Sequence, residues 1–323
     1  MPWPEGGPAS AINDSVKTET QRLFKLNAII GEGGYGTVYE CTANGGDVRK
    51  KMACKAEKWS KTVLKIEISV LRAANAKRCK HFCELIDYGR VPSEYMFIIL
   101  TLLDRDINRL RNEQSERHFS LGTAARIGMQ TCSAIDELHA LGFLSRDIKA
   151  GNFGMGPPRR QLPPLGVHVR LWPFAEVCRQ EPQRNSASDD MESWLYMLIE
   201  ITNGSSPMAY GHWLIATRCT NANLRVVEDF RPALLGSLPK QFDEMMPMID
   251  KLSFESTPHY SDYVQVCEDN NIEMTQPYDW EVEPSPSSVL TSATKSLDNS
   301  FYGTEVKNWK VSLHQVDREN PGL

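Results

Sequence analysis

The feature that most constrains the fold is an ordered series of glycine-rich and polar motifs in β-prone and then helical surroundings. Two β-prone runs, 24–30 and 37–41, are joined by a turn that contains four glycines, which predicts a β-hairpin with an unusual tip. A third β-prone run at 52–56 and a helical stretch at 61–76 follow. The chain is therefore expected to begin as a β-rich unit that carries one helix.

The glycine-rich turn has the pattern Gly31-x-Gly33-x-x-Gly36-x-Val38. Because glycine has no Cβ atom, its backbone can approach a polyphosphate closely and direct N–H groups at phosphate oxygens. Alone, the pattern is a weak indication, since an ordinary glycine-rich hairpin explains it equally well. It predicts a phosphate site only in combination with the residues that follow.

Lys55 lies on the next predicted strand and Glu67 on the helix after it. The residues four positions before and after Glu67 are Val63 and Leu71, both apolar, so Glu67 is expected to face inward. An inward carboxylate needs a partner to offset its desolvation, and Lys55 is the natural one. Two interpretations stay open: a structural ion pair, or a lysine oriented towards nucleotide phosphates.

Helical patterning dominates the second half of the chain. Apolar residues recur at helical spacing over 127–138 and again over 191–201, and each run predicts a helix with a wide apolar face. Between them, 139–153 reads His-x-x-Gly-Phe-Leu-Ser-Arg-Asp-Ile-Lys-x-Gly-Asn-Phe. This segment is the strongest functional signal in the sequence.

The segment 139–153 resembles the catalytic loop of protein kinases. The resemblance implies that Asp147 orients the substrate hydroxyl and accepts its proton, that Lys149 steadies the γ-phosphate, and that Asn152 holds a magnesium ion. The Asp-x-Lys pattern is the serine/threonine form.

Together with 63–71, 189–198 and 278–281, the catalytic-loop segment 139–153 resembles tau-tubulin kinases within the casein kinase 1 group. The resemblance covers roughly residues 22 to 282. It implies an α+β, two-lobed fold: a small β-rich N-lobe with one helix, and a larger, mainly helical C-lobe.

The resemblance also assigns an ATP site by position. Leu100 would be the gatekeeper, Thr101 to Leu103 the hinge, and Asp190 a carboxylate that braces the catalytic-loop backbone. The nine residues expected to bind ATP are Gly31, Gly33, Gly36, Val38, Ala53, Lys55, Glu67, Leu100 and Leu102.

The sequence departs from this family after the catalytic loop. Kinases carry Asp-Phe-Gly after the strand expected at 167–171, whereas this chain has Trp172-Pro173-Phe174. The missing aspartate would hold the magnesium ion that bridges the β- and γ-phosphates, and an indole offers no oxygen to a hard cation. Asn152 is then the one predicted magnesium ligand that remains, so the metal site is expected to be impaired.

Three further departures concern the loop, the activation segment and the adenine pocket. Ser145 replaces a histidine, which removes no reacting group. Only 17 residues separate Trp172 from Asp190, and they lack the Gly-Thr-x-Arg-Tyr segment that forms the shelf for a substrate peptide. Gly154 stands where a larger apolar residue normally covers the adenine ring from below, while Val38 and Ala53 still supply the roof.

The two ends of the chain are delimited by composition, and the domain between them by the resemblance. Residues 1–22 are rich in Pro, Gly, Ser and Thr and read as a flexible leader,. The kinase-like domain is expected at 23–282, with its N-lobe at 23–102 and its C-lobe at 103–282. Residues 283–323 are Ser/Thr-rich and weakly patterned, which is typical of a disordered tail.

Composition limits the partners and the compartment. With 36 Lys+Arg against 41 Asp+Glu the net charge is −5, so no global basic field predicts binding to nucleic acid or to an anionic membrane. The longest apolar stretch, 96–100, is far too short to span a bilayer,. The eight cysteines lack zinc-site spacing, and the N-terminus lacks a secretory signal,. A reduced, cytosolic or nuclear protein is expected, and family habit favours a monomer.

Three hypotheses about function stay open. The first is an ATP-dependent serine/threonine protein kinase that tolerates the loss of the metal ligand. The second is a pseudokinase that serves as a scaffold or decoy for a kinase partner or its substrates. The third is a splice form or gene model that lacks an exon of an active kinase. The protein substrate and the kinase partner cannot be named from the sequence.

Overall fold

An antiparallel sheet forms the first part of the chain. Its strands are β1 (Ser15–Lys17), β2 (Leu23–Glu32), β3 (Gly36–Ala43), β4 (Met52–Lys58), β5 (Leu85–Val91) and β6 (Tyr95–Thr101). They are hydrogen-bonded in the order β1-β2-β3-β4-β6-β5. Helix α1 (Leu64–Ala76) contacts β5 and β6.

The computed structural model describes ten segments of the chain, nearly all of them within one compact unit of residues 1–281. These are 12–33, 36–47, 49–91, 93–156, 169–171, 178–179, 186–203, 240–253, 256–269 and 276–282.

The burial of each strand agrees with its place in the sheet. In β2, Phe24 and Leu26 are buried and alternate with exposed residues, as expected for a strand with one apolar face,. Strands β4 and β6 are buried along nearly their whole length, and they lie in the interior of the sheet. One apolar cluster covers the face that contains Phe24, and a larger one continues on the other face into α1 and the later helices.

The predicted flexible leader is wrong for its second half. Ser15–Lys17 pairs with β2 in antiparallel register, with Val16 opposite Phe24. The Asn13 N–H donates to the Leu26 carbonyl, and the Leu26 N–H donates to Asp14. Backbone pairing of this kind needs no apolar periodicity, and Val16 is the one apolar side chain that β1 buries, so the sequence carried little signal. Residues 1–11 of the predicted leader and 283–323 of the predicted tail lie outside the described residues.

The second part of the chain is mostly helical, as predicted. Its helices are α2 (Ile107–Asn112), α3 (Leu121–Ala140), α4 (Ala187–Asn203), α5 (Met245–Asp250) and α6 (Tyr260–Glu268). Helix α3 contacts α4 and α6. The periodic runs 127–138 and 191–201 fall inside α3 and α4.

Short strands connect these helices to the site. Strand β7 (Phe143–Leu144) pairs with β10 (Cys178–Arg179), and β8 (Phe153–Met155) pairs with β9 (Val169–Leu171), both antiparallel. Residues 145–152 therefore form a loop between β7 and β8. Across the parts of the chain that the structure describes, no helix combines the length and apolar character that crossing a bilayer requires.

The segment 278–281, which contributed to the family resemblance, is hydrogen-bonded to the start of α3. The Asp279 carboxylate accepts hydrogen bonds from the Ser120 backbone N–H and Oγ, each at 2.6 Å, and from Thr123 Oγ1 at 2.9 Å. Ser120 is itself the N-cap of α3. Because a helix N-terminus has unpaired N–H groups and a positive dipole end, this carboxylate stabilises α3.

Candidate active site

A cavity of about 340 Å³ lies between the β2–β3 turn and the segment that follows β6. Its volume is within the range of small-molecule sites. Ala53, Leu100 and Glu67 do not line it: Ala53 and Leu100 are fully buried behind the surface, and Glu67 lies beyond Lys55. The residues predicted for ATP that do line it are Gly31, Gly33, Gly36, Val38, Lys55 and Leu102.

Two of the four glycines in the turn occur there for different local reasons. A Cβ atom at Gly36 would lie 2.0 Å from the Ala56 carbonyl oxygen of β4, so the close approach of β3 and β4 requires glycine there. A Cβ atom at Gly33 would meet nothing within 4 Å. The Gly33 N–H donates to the Gly36 carbonyl at 2.9 Å and closes the described part of the turn. Gly33 thus faces open space and leaves room for a ligand.

Lys55 is held by a buried ion pair with Glu67. The Lys55 Nζ lies 2.5 Å from Glu67 Oε1, and both side chains are buried. Lys55 sits opposite Val38 in the β3–β4 register, so its side chain reaches the cavity from the strand next to the glycine-rich hairpin. The predicted partners are therefore brought together at the edge of the cavity.

Sequence reasoning missed a second carboxylate beside this lysine. Glu57 Oε1 lies 3.2 Å from Lys55 Nζ, and Glu57 is almost fully buried. Its other oxygen accepts a hydrogen bond from the Val63 N–H at the start of α1. Residues two apart on a strand share a face, and this spacing from Lys55 was the available signal. Two buried carboxylates therefore compete for one lysine.

This cluster shifts the protonation of Glu67. Burial raises the pKa of Glu67 to about 7, against the opposing effect of Lys55, and the nearby Glu57 adds to the rise. Glu67 consequently titrates near neutral pH, where a carboxylate in water is fully ionised.

The loop 145–152 is held in place by Asp190 of α4. Its carboxylate accepts the backbone N–H of Ser145 at 2.7 Å and of Arg146 at 2.8 Å, and His139 Nε2 lies 2.8 Å from Oδ2. Arg146 has φ of +60°, a backbone conformation that costs energy for a residue with a side chain,. Asp190 thus stabilises a strained turn, and His139 is a further partner to which the sequence assigned no role.

The three predicted catalytic-loop residues meet in this turn. The Lys149 Nζ lies 2.8 Å from Asp147 Oδ2. Asn152 Nδ2 donates to the Asp147 carbonyl at 2.6 Å and to Asp147 Oδ2 at 3.0 Å. Asn152 is buried, whereas the side chains of Asp147 and Lys149 are partly exposed. The exposed carboxylate of Asp147 is available to a hydroxyl group that approaches from solvent.

The side chains that could ligate a divalent cation here are few. Asn152 turns its amide nitrogen to Asp147, so its carboxamide oxygen is the atom suited to a cation,. The β8–β9 register places Leu171 opposite Phe153, directly before Trp172. Trp172, Pro173 and Phe174 lie outside the described residues. Within the described ranges, no group of three or more His, Cys, Asp or Glu side chains has the geometry of a metal site.

Gly154, expected to leave the base pocket open on one side, is covered. A Cβ atom at Gly154 would lie 2.8 Å from Leu103 Cδ1 and 3.2 Å from Leu103 Cβ. The Leu103 side chain therefore lies against the Gly154 backbone. Both residues line the cavity.

Comparison with known proteins gives a consistent picture. Residues 24–161 match the family described as the protein kinase domain. Serine/threonine-protein kinase spe-6 of Caenorhabditis elegans is 28% identical over 300 residues, covering 80% of this chain and 75% of that protein. The inactive tau-tubulin kinase ttbk-6 of the same organism is 24% identical over 275 residues, covering 73% of this chain and 93% of that protein.

A solved structure agrees with the fold. The structure of vaccinia related kinase 3 superposes with a TM-score of 0.60 at 13% sequence identity, over 82% of this chain and 93% of that chain. At this identity the likeness concerns the fold alone. It matches the β-rich first part and helical second part described above.

Proposed function

We propose that this chain, whose residues 24–161 match the protein kinase domain family, is a serine/threonine protein kinase domain that binds ATP in the cavity beside Lys55. We further propose that its phosphoryl transfer to protein serine or threonine is weak or lost. The observation that carries ATP binding is the Lys55–Glu67 pair, 2.5 Å apart, at the edge of a cavity lined by Gly31 and Gly33. A lysine so held, beside glycine backbone, suits the phosphates of a nucleotide.

The proposed weakness in catalysis follows from the side chains available to ligate magnesium. Protein kinase domains bind ATP together with magnesium, held by one aspartate and one asparagine. Asn152 is present, whereas Trp172 occupies the aspartate position and has no oxygen to donate,. The residues present therefore fit the nucleotide better than they fit its metal ion.

The residues that remain have clear individual tasks. Lys55 would neutralise phosphate charge, Asp147 would accept the proton of an incoming hydroxyl group, and Lys149 would lie beside the transferred group. Asp190 fixes the loop that carries Asp147 and Lys149. Each task needs only a side chain that is in place, but the charge on the γ-phosphate is left without the metal that normally offsets it.

The proposal also covers the group of kinases to which the chain belongs and its location in the cell. The similarity to ttbk-6 supports membership in the casein kinase 1 group near tau-tubulin kinases. That relative is named as inactive, which also supports the alternative in which this chain is a pseudokinase scaffold for a kinase partner or its substrates. We propose, from composition and family habit, that the protein acts as a monomer in the cytosol or nucleus.

Thermal unfolding with ATP tests the proposal. A ligand that binds only the native state raises Tm, by about 5–10 °C for a domain of this size when its concentration is about 100 times Kd. We expect ATP to raise Tm equally with and without magnesium, and Lys55→Met to abolish most of that rise. Lys58→Met is the matched control, because Lys58 lies on the same strand with its side chain in solvent.

The outcomes separate the hypotheses. No rise in Tm with ATP would overturn nucleotide binding and leave the scaffold as the working account. A rise that requires magnesium would show that a substitute ligand completes the metal site, and casein and tubulin would then be tested as phosphate acceptors. Transcripts that encode Asp-Phe-Gly between Arg170 and Ser188 would favour the missing-exon hypothesis instead.

A further inference from the structure

The hinge side of the cavity contains a pair of residues that depend on each other. Leu103 lies so close to Gly154 that the Cβ position of residue 154 is 2.8 Å from Leu103 Cδ1, 3.2 Å from its Cβ and 3.6 Å from its Cγ. Real Cβ atoms essentially never approach another atom that closely, so a side chain at residue 154 would require the Leu103 side chain to shift.

The backbone keeps Leu103 in this position. The Asp104 N–H donates to the Met155 carbonyl at 2.9 Å, and the Met155 N–H donates to the Arg105 carbonyl at 3.1 Å. A bridge between Asp106 and Gly154 continues the same pairing. The segment after β6 is therefore hydrogen-bonded to β8 at Met155 and bridged to it at Gly154.

The chemistry of this surface suits a flat aromatic ring. Leu103 is 9% exposed, and it lines the cavity together with Leu102 and with Val38 from the first part of the chain. Apolar side chains with a few polar neighbours are the usual lining of a small-molecule pocket. The phosphate-binding features, in contrast, lie at the glycine-rich turn and Lys55.

We propose that Leu103 forms the apolar floor on which the nucleobase packs, because residue 154 is a glycine and offers no side chain for this role. Leu103 would then determine how tightly the pocket holds adenosine. This rests on the proposed nucleotide binding. The pocket keeps its floor although residue 154 is glycine, because the leucine that covers the base comes from the hinge segment. The position therefore contributes to binding of the base and not to binding of the phosphates.

Binding of adenosine, measured by titration calorimetry, tests this without phosphate or metal. We expect Leu103→Ala to raise the Kd for adenosine about tenfold and to leave the Kd for inorganic triphosphate within twofold. The double variant Leu103→Ala with Gly154→Leu should recover adenosine binding to within about threefold, because the new leucine occupies the vacated space. Gly154→Leu alone should weaken adenosine binding, since Leu103 still fills that space.

Two controls keep the result interpretable. Leu141→Ala removes a half-buried leucine at the end of α3, which does not line the cavity, and it should leave adenosine binding unchanged at a similar loss of Tm. Should Leu103→Ala not fold, Leu103→Val carries the same comparison with a smaller cavity.

Failure of the floor assignment and failure of nucleotide binding would give different results. If the wild-type protein binds adenosine and the Leu103 variant binds it within twofold, the floor assignment is overturned and nucleotide binding stands. If the wild-type protein binds neither adenosine nor ATP, the proposed function itself is overturned and the floor assignment with it.

Discussion

At the scale of single residues, the most consequential feature is the imbalance of charge around Lys55. Glu57 and Glu67 both lie within 3.2 Å of its ammonium group, and all three side chains are buried. One lysine cannot neutralise two carboxylates, so the cluster lowers its energy by taking up a proton as pH falls. The raised pKa of Glu67, about 7, follows from that burial.

Stability is therefore expected to depend on the protonation of Glu67. Its folded pKa, about 7, lies above its ordinary value of 4.5, so between these values the native state binds more protons than the unfolded state. Stability then falls as pH rises through this window, and the loss is complete above pH 7. In urea titrations, the wild-type protein should gain about 1–3 kcal/mol relative to Glu67→Gln on going from pH 8 to pH 5.

The comparison with Glu67→Gln isolates this one group, because glutamine keeps the size and loses the titration. Asp87→Asn, in the same part of the chain, is a control for general effects of removing a buried carboxylate. Parallel pH profiles for the wild-type protein and Glu67→Gln would show that Glu67 is ionised throughout, contrary to the expectation.

Asp190 illustrates how one buried residue sets the geometry of the loop 145–152. In Asp190→Ala, the N–H groups of Ser145 and Arg146 lose their acceptor. Each unpaired buried donor costs about 1–3 kcal/mol, so we expect a loss of about 3–5 kcal/mol in the free energy of unfolding, measured with urea. Ser193→Ala, at a partly exposed position on the same helix, should cost less than about 0.5 kcal/mol,. A comparable loss in both variants would contradict the assigned role.

At the scale of elements, the apolar periodicity of the sequence predicted the helices and strands that bury one face. Helices α3 and α4 and the β2–β3 hairpin have apolar faces that recur along the chain, and they appear where the pattern predicts them. Strand β1 was missed because its contribution is backbone pairing with one buried valine. Glu57 and the cover of Gly154 by Leu103 were missed because they depend on which residues from different elements meet, and spacing within one element does not show that.

The contact between 278–281 and α3 makes an element-scale prediction. Asp279→Ala removes the acceptor for the Ser120 N–H and for two hydroxyl groups at the start of α3. Loss of a helix cap costs about 0.5–2 kcal/mol, and the added side-chain contacts place our expectation near about 2 kcal/mol in urea unfolding. Glu268→Ala, exposed at the end of α6, is the control. Equal stability of both variants would mean that the segment does not support α3.

At the scale of the whole molecule, the site depends on elements that are far apart in sequence. The glycine-rich turn and Lys55 come from the first sheet, Asp190 of α4 holds the loop 145–152, and the segment after β6 pairs with β8. These supports are present, whereas the chain between Trp172 and Asp190 is only 17 residues long. Binding of a nucleotide and binding of a substrate peptide should therefore be separable properties in this protein.

Replacing Trp172 with aspartate tests that separation. An aspartate after β9 supplies the carboxylate oxygen that a magnesium ion needs beside Asn152, so Trp172→Asp should make the ATP-induced rise in Tm larger with magnesium than without it. Trp172→Leu, which removes the indole and adds no oxygen, should show no such difference. Phosphorylation of casein by Trp172→Asp should nevertheless stay at the background of Asp147→Asn, because restoring the metal does not restore a shelf for the peptide. Magnesium-dependent casein phosphorylation well above that background would show that the short segment is sufficient to hold a substrate, and that the metal ligand alone separates this chain from an active kinase.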